Sequence, residues 1–82
     1  MNVVVYSKPN CQQCIATVRT FGRRGKEVRE EDLQDHPHVL TYAQEQGWTN
    51  APVVMVHDET GQLVAAWSGY RPDKIREVVN AG

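Results

Sequence analysis

The chain has 82 residues, of which 40% are hydrophobic, and its formal net charge at pH 7 is −1. This composition predicts one small folded domain over residues 1–82 and argues against disorder. The balanced charge gives no basis for binding nucleic acid or an anionic membrane surface. No apolar run reaches the roughly 20 residues of a membrane-spanning helix, and the start of the chain has no secretory signal. We therefore expect a cytoplasmic protein without nucleic-acid or membrane partners.

The first part of the chain predicts a strand, a helix and a second strand. Residues 2–6 are β-branched and aromatic, as in a buried strand. A helix is predicted from Cys11 to about Arg24, with Gly25 as its C-terminal cap. Apolar residues recur on its inner face at helical spacing: Cys14, Val18 and Phe21. Residues 26–31 are mostly charged, which favours a strand at an edge of the sheet.

The middle of the chain predicts a second helix and a central strand. The helix starts near Pro37, because proline suits the first helical position, and ends at Gly47. Asp35 or His36 is the expected N-terminal cap. We expect three residues to face inward: Val39, Leu40 and Ala43. The apolar run at residues 53–56 predicts a third strand, in the centre of the sheet.

Residues 57–62 have turn chemistry and lead into a fourth strand at 63–67, so strands three and four should form an antiparallel hairpin. A third helix begins at Pro72, with an inner stripe of Ile75, Val78 and Val79. The element order is thus β-α-β-α-β-β-α. The first β-α-β unit requires parallel strands. The sequence therefore predicts an α/β fold, a four-stranded mixed sheet flanked on both faces by three helices.

The segment Cys11-Gln12-Gln13-Cys14 contains the only two cysteines of the chain, directly after the first strand and a short turn. At a helix start, the free backbone N–H groups and the helix dipole favour thiolate over thiol at Cys11. Lys8 adds positive charge nearby. Cys14 follows one turn later and should be more buried. We predict that Cys11 attacks a partner disulfide and that Cys14 resolves the mixed disulfide.

A cysteine pair at this spacing has two other possible uses, a zinc site and a structural disulfide. Zinc needs four ligands, and the three histidines lie far along the chain in loops and at helix starts: His36, His38 and His57. A purely structural disulfide would close too small a loop to stabilise much. Reversible redox chemistry without a bound metal is the preferred interpretation.

Two later segments are further candidates. Pro52 enters a buried strand, where it either starts the strand or forms a cis peptide bond with Ala51. In the cis form, the Ala51 backbone would lie beside Cys11 and pair with an extended substrate segment. The segment from Trp67 to Asp73 ends a strand and starts a helix, and its Trp67 and Tyr70 side chains are as consistent with the core as with a contact surface.

Three motifs together resemble the NrdH-redoxins, which are small glutaredoxin-like proteins with thioredoxin-like behaviour. They are Val5-Tyr6-Ser7-Lys8-Pro9-Asn10-Cys11-x-x-Cys14, Ala51-Pro52-Val53-Val54 and Trp67-Ser68-Gly69-Tyr70-Arg71-Pro72-Asp73. The third motif is the most specific, and the family carries phenylalanine where this chain has Tyr70. The first two motifs are shared with glutaredoxins generally. The similarity covers nearly the whole chain.

The resemblance implies a thioredoxin fold, a cis peptide at Ala51–Pro52, and electron delivery to the large subunit of a class Ib ribonucleotide reductase. Thioredoxin reductase would recharge the Cys11–Cys14 disulfide with NADPH, so no cofactor would be bound. A group of residues would hold the loop near the active site: Trp67, Ser68, Gly69, Tyr70, Arg71 and Asp73. We expect the protein to be a monomer.

The chain departs from the family at Gln12, where valine, methionine or proline is usual, so the reduction potential stays open. It also lacks the usual glutathione contacts, since it has Gln12-Gln13 between the cysteines, Asn50-Ala51 before Pro52, and Ser68-Gly69 after strand four. Four alternatives remain: a glutathione-dependent glutaredoxin, a general protein disulfide reductase, a module binding a metal or iron–sulfur cluster between two chains through Cys11, and a redox-inactive interaction domain.

Overall fold

A computed structural model describes residues 1–81, and over this range the chain forms four strands and three α-helices in the predicted order. The bounds are β1 Asn2–Ser7, α1 Gln12–Arg23, β2 Arg29–Asp32, α2 Pro37–Glu45, β3 Val53–His57, β4 Leu63–Ser68 and α3 Pro72–Ala81. A short 3₁₀ turn, Leu33–Asp35, joins β2 to α2. None of the helices within residues 1–81 is long and apolar enough to cross a membrane.

The four strands form one mixed sheet in the order β2-β1-β3-β4. β1 pairs in parallel with β2, with Val4 opposite Arg29, and antiparallel with β3, with Val5 opposite Val54. β3 and β4 form an antiparallel hairpin, with Val54 opposite Trp67. The predicted edge position of β2, central position of β3 and final hairpin are confirmed.

Successive side chains of the central strands point to opposite faces of the sheet and build two cores. The core on the face of α1 and α3 contains Val3, Val5, Phe21, Val54, Val56, Trp67, Ile75 and Val78. The core on the face of α2 contains Tyr6, Leu33, Val39, Ala43, Val53 and Met55. Strand β3 alternates between the two cores, so it is buried on both faces. The prediction that helices cover both faces is therefore confirmed.

Two local predictions were wrong. β2 spans Arg29–Asp32 and not residues 26–31. Val28 packs against the first core but lies just before the strand. The charged residues of β2 pair with β1 through the backbone, so their side chains carry no pattern that marks the bounds of the strand. Leu40 was expected to face inward, but it is 39% exposed. The buried stripe of the short helix α2 is narrow and consists of Val39 and Ala43, four residues apart.

Candidate active site

Cys11 and Cys14 form a disulfide at the N-terminus of α1. Asn10, which has a left-handed backbone with φ of 57°, turns the chain from β1 into the helix; asparagine tolerates this conformation better than most residues. Cys11 is the N-cap residue, and its Sγ accepts a hydrogen bond from the backbone N–H of Cys14 at 3.1 Å. The first turn of α1 has no acidic residue, so no side-chain charge in that turn opposes a thiolate at this helix end.

The two sulfurs differ in accessibility. Cys14 is 1% exposed and lies inside the protein, whereas Cys11 is half-buried. This difference matches the order expected for attack by Cys11 and resolution by Cys14. An incoming disulfide reaches the outer sulfur first.

The peptide bond between Ala51 and Pro52 is cis, which resolves the alternative left open by the sequence. The carbonyl oxygen of Ala51 lies 3.8 Å from Cys11 Sγ. Ala51 is 9% exposed and Pro52 is fully buried, so this loop is part of the packed protein. The loop is held from its other side because the carbonyl oxygen of Pro52 accepts a hydrogen bond from Gly69 N–H at 2.8 Å.

The loop after β4 also reaches α1. Gln13 Oε1 accepts a hydrogen bond from the backbone N–H of Tyr70 at 2.9 Å, across 57 residues of sequence. Gly69 has a φ of +78°, and a Cβ at this position would lie 3.0 Å from Gln13 Oε1. Glycine is therefore favoured at this position by its backbone conformation, and the close approach of the Gln13 side chain adds to that preference.

A second contact joins the same loop to α1. The hydroxyl groups of Tyr70 and Thr20 lie 3.0 Å apart and share a hydrogen bond. Thr20 is 8% exposed, and Arg23 Nη2 also donates to its hydroxyl at 3.2 Å. Tyr70 thus uses both its backbone and its side chain to fix the loop against the helix that contains the thiols.

Two other predicted residues of the segment belong to strand β4. Trp67 is 3% exposed and belongs to the first core, and its indole Nε1 has no hydrogen-bond partner within residues 1–81. Ser68 is half-buried and pairs with Val53 at the end of β4. Both residues therefore contribute to the sheet that supports the site.

Arg71 and Asp73 are exposed and form an ion pair, with Arg71 Nη2 donating to Asp73 Oδ2 at 2.8 Å and Nε donating to Oδ1 at 3.1 Å. Chiefly through the hydrogen bonds from Arg71, the pKa of Asp73 falls to about 2. Lys8 is exposed and borders the same small depression as Asn50 and Ala51. The structure thus places Lys8 beside the cis-proline loop, and its predicted contribution of positive charge near Cys11 stays a prediction.

Two residues of the site were not predicted from the sequence. Gln13 enters the sequence prediction only as one of the two residues between the cysteines, and Thr20 does not enter it. No local pattern indicates that either contacts Tyr70, since both contacts join distant parts of the chain. A third contact within α1 was also missed: the hydroxyl of Thr17, which is fully buried, donates to the Gln13 carbonyl oxygen at 2.8 Å.

The histidines lie in other surroundings. His36 Nε2 is 3.1 Å from Glu31 Oε1 and stacks edge-on against Tyr6. The contact with His36, followed by that with Arg29, lowers the pKa of Glu31. Within residues 1–81, no group of three or more histidine, cysteine or acidic side chains is arranged to hold a metal ion.

The family model and similar known proteins point to the same family. The Glutaredoxin family model matches residues 3–60. The glutaredoxin-like protein NrdH of Salmonella typhimurium is 35% identical over 78 residues, which cover 95% of this chain and 89% of that protein. The NrdH protein of Lactococcus lactis subsp. cremoris is 29% identical over 93% of this chain and 97% of its own.

Solved structures agree with the sequence comparison. The NrdH-redoxin from Escherichia coli, a glutaredoxin-like protein described as having a thioredoxin-like activity profile, has a TM-score of 0.77 and 31% identity, and 95% of each chain is covered. A glutaredoxin from Brucella melitensis has a TM-score of 0.65 at 19% identity and supports the fold alone.

The thioredoxin-like fold and the Cys11–Cys14 pair define a thiol–disulfide oxidoreductase. Cys11 and Cys14 are its redox-capable pair. Within the glutaredoxin family, the chain belongs to the NrdH-redoxins.

Proposed function

We propose that this protein delivers electrons to the large subunit of a class Ib ribonucleotide reductase and is itself reduced by thioredoxin reductase at the expense of NADPH. The identity to NrdH proteins over 95% of the chain carries the proposal. The thioredoxin-like activity profile reported for the Escherichia coli protein supports the choice of reductase. The protein would work in the cytoplasm, as a monomer.

The reaction has two exchanges. The Cys11 thiolate attacks one sulfur of the substrate disulfide, which forms a mixed disulfide and expels the other substrate sulfur as a thiolate. The Cys14 thiolate then attacks Cys11 Sγ, forming the Cys11–Cys14 disulfide and releasing the second substrate sulfur. Two electrons pass to the substrate, and its two thiolates take up protons from water. Thioredoxin reductase returns the two electrons to the Cys11–Cys14 disulfide.

The substrate would dock by adding an extended segment to the cis-proline loop. The carbonyl oxygen of Ala51 lies beside Cys11 Sγ, so a segment paired with this backbone brings its disulfide to the nucleophile. Pro52 holds the turn, and Lys8 supplies a cation at the border of the docking surface. Trp67 and Ser68 support the surface from the sheet, and Gly69 and Tyr70 support it from the loop, which continues into the Arg71–Asp73 ion pair.

The sequence around the site does not favour glutathione as the electron source, because the usual glutathione contacts are absent at Gln12-Gln13, Asn50-Ala51 and Ser68-Gly69. A protein reductase that docks on the backbone of the cis-proline loop does not depend on those contacts.

The test is oxidation of NADPH by thioredoxin reductase in the presence of the oxidised protein and ribonucleotide reductase, run beside glutathione with glutathione reductase. We expect turnover with thioredoxin reductase only, and no turnover for Cys11→Ser. Turnover with glutathione alone would replace the proposal by a glutathione-dependent glutaredoxin. Turnover of insulin but not of ribonucleotide reductase would leave a general protein disulfide reductase.

A further inference from the structure

We propose that Gln13 is a positioning residue that sets the place of the cis-proline loop relative to Cys11 and thereby favours protein disulfides over small disulfides. The inference rests on the proposed pairing of a substrate segment with Ala51. It does not depend on the identity of the reductase or of the final substrate.

Hydrogen bonds engage both the backbone and the side chain of Gln13. Its carbonyl oxygen accepts a hydrogen bond from the buried hydroxyl of Thr17 at 2.8 Å, and its Oε1 accepts one from Tyr70 N–H at 2.9 Å. An exposed glutamine side chain normally moves among several rotamers. Here the hydrogen bond to a backbone N–H in another loop selects one of them.

The partner of this bond belongs to the loop that holds Pro52. Gly69 donates to the Pro52 carbonyl oxygen at 2.8 Å, and the next residue, Tyr70, donates to Gln13. The contacts form a closed circuit from Cys11 Sγ to Ala51, through Pro52 and Gly69–Tyr70, to Gln13 and back along α1 to the disulfide. Breaking the Gln13 contact removes the tie nearest the thiols and leaves the Tyr70–Thr20 hydrogen bond, farther along α1, as the remaining tie between this loop and the helix.

Reactions that use the backbone of Ala51 should therefore depend on Gln13, whereas reactions that use only the Cys11 sulfur should not. An extended protein segment needs both the sulfur and the carbonyl in a fixed relation. A small aromatic disulfide such as 5,5′-dithiobis(2-nitrobenzoate) reaches the half-buried sulfur without pairing to the loop. The ratio of the protein-disulfide rate to the small-disulfide rate therefore measures how well the loop is positioned beside Cys11. A change in the reactivity of the Cys11 thiol affects both rates and cancels in the ratio.

The experiment measures insulin reduction driven by dithiothreitol and, separately, the reaction of the reduced protein with 5,5′-dithiobis(2-nitrobenzoate). For Gln13→Leu we expect the ratio of insulin rate to small-disulfide rate to fall about fivefold, the change expected for the loss of one ordinary hydrogen bond. The amide hydrogen of Tyr70 should exchange faster with solvent in the same variant, because its acceptor is gone.

Two variants serve as controls. Gln13→Glu keeps an acceptor for Tyr70 N–H, so the ratio should stay near that of the parent protein although the added negative charge slows both reactions by disfavouring the thiolate. Gln12→Leu makes the same change one position earlier, where the exposed side chain has no hydrogen bond within residues 1–81, and the ratio should also be retained. An unchanged ratio in Gln13→Leu, or an equal fall in Gln13→Glu, would overturn the inference.

Discussion

Cys11 Sγ lies 3.8 Å from the carbonyl oxygen of Ala51, although 40 residues separate them in the chain. This contact unites a helix start and a loop between α2 and β3 in one surface. In the proposed function, the sulfur would carry out the exchange and the carbonyl would pair with the backbone of an incoming chain. The surface therefore depends on tertiary structure as much as on the spacing of the cysteines.

Replacing one cysteine at a time should separate the two exchanges. Cys11→Ser is expected to abolish disulfide reduction, whereas Cys14→Ser should accumulate a mixed disulfide, because the buried resolving sulfur is absent. Intact-mass spectrometry after incubation with a disulfide-containing substrate measures the adduct. A stable adduct on Cys11→Ser, formed through Cys14, would contradict the assigned order.

Tyr70→Phe removes the hydroxyl that bonds to Thr20 and restores the residue usual in the family. We expect the free energy of unfolding to fall by about 1 kcal/mol or somewhat less, since Arg23 still donates to Thr20. Urea unfolding measures the change. Tyr42→Phe is the matched control, because the Tyr42 hydroxyl has no hydrogen bond to another side chain within residues 1–81. Equal losses in the two variants would refute the contribution of the Thr20 contact.

Gly69→Ala should lower stability by more than Gly61→Ala. Both positions have positive φ, +78° and +88°, and alanine there costs about 1–2 kcal/mol. At Gly61 an added Cβ meets nothing within 4 Å, whereas at Gly69 it lies 3.0 Å from Gln13 Oε1, so the end of Gln13 must shift slightly and its bond to Tyr70 N–H is weakened. The extra loss should disappear in a Gln13→Leu background, which a double-mutant cycle by urea unfolding measures. An undiminished extra loss in that background would mean that Gln13 is not its cause.

Asp73→Asn should make the stability of the folded protein depend less on pH under acidic conditions. The folded pKa of Asp73 is about 2, below its ordinary value of 3.8, because Arg71 stabilises the carboxylate. Its contribution is therefore complete above about pH 4 and is lost as the pH falls from there through 2. Thermal unfolding of both proteins between pH 5 and 2 measures the difference, which should be small because the pair is exposed. A parent protein and variant with parallel profiles would contradict the pairing.

The strands β1, β3 and β4 were predictable because β-branched residues fill both sides of a central strand and turn residues separate the hairpin. β2 was located only approximately, because its charged residues are held by backbone pairing to β1 and its apolar anchor, Val28, lies before it. Leu40 was wrongly predicted to face inward because a helix of nine residues has too few apolar positions to show which of two neighbouring faces is buried.

The spacing of the two cysteines and their position at a helix start were enough to predict thiol–disulfide chemistry. The cis form of the bond before Pro52 followed from the family resemblance, since the local sequence was equally consistent with a plain strand start. The bond between Gln13 and Tyr70 had no sequence signal, because glutamine is a neutral residue on an exposed helix surface and its acceptor is used by a backbone N–H 57 residues away.

The bond from Gly69 to Pro52 has a consequence for biosynthesis. The ribosome makes Cys11 and Cys14 early and the loop that fixes Pro52 only after β4 has been added. A nascent chain therefore contains both thiols before the proposed docking surface can exist. That surface can form only when residues 69–70 have been made and have folded back onto Pro52 and α1.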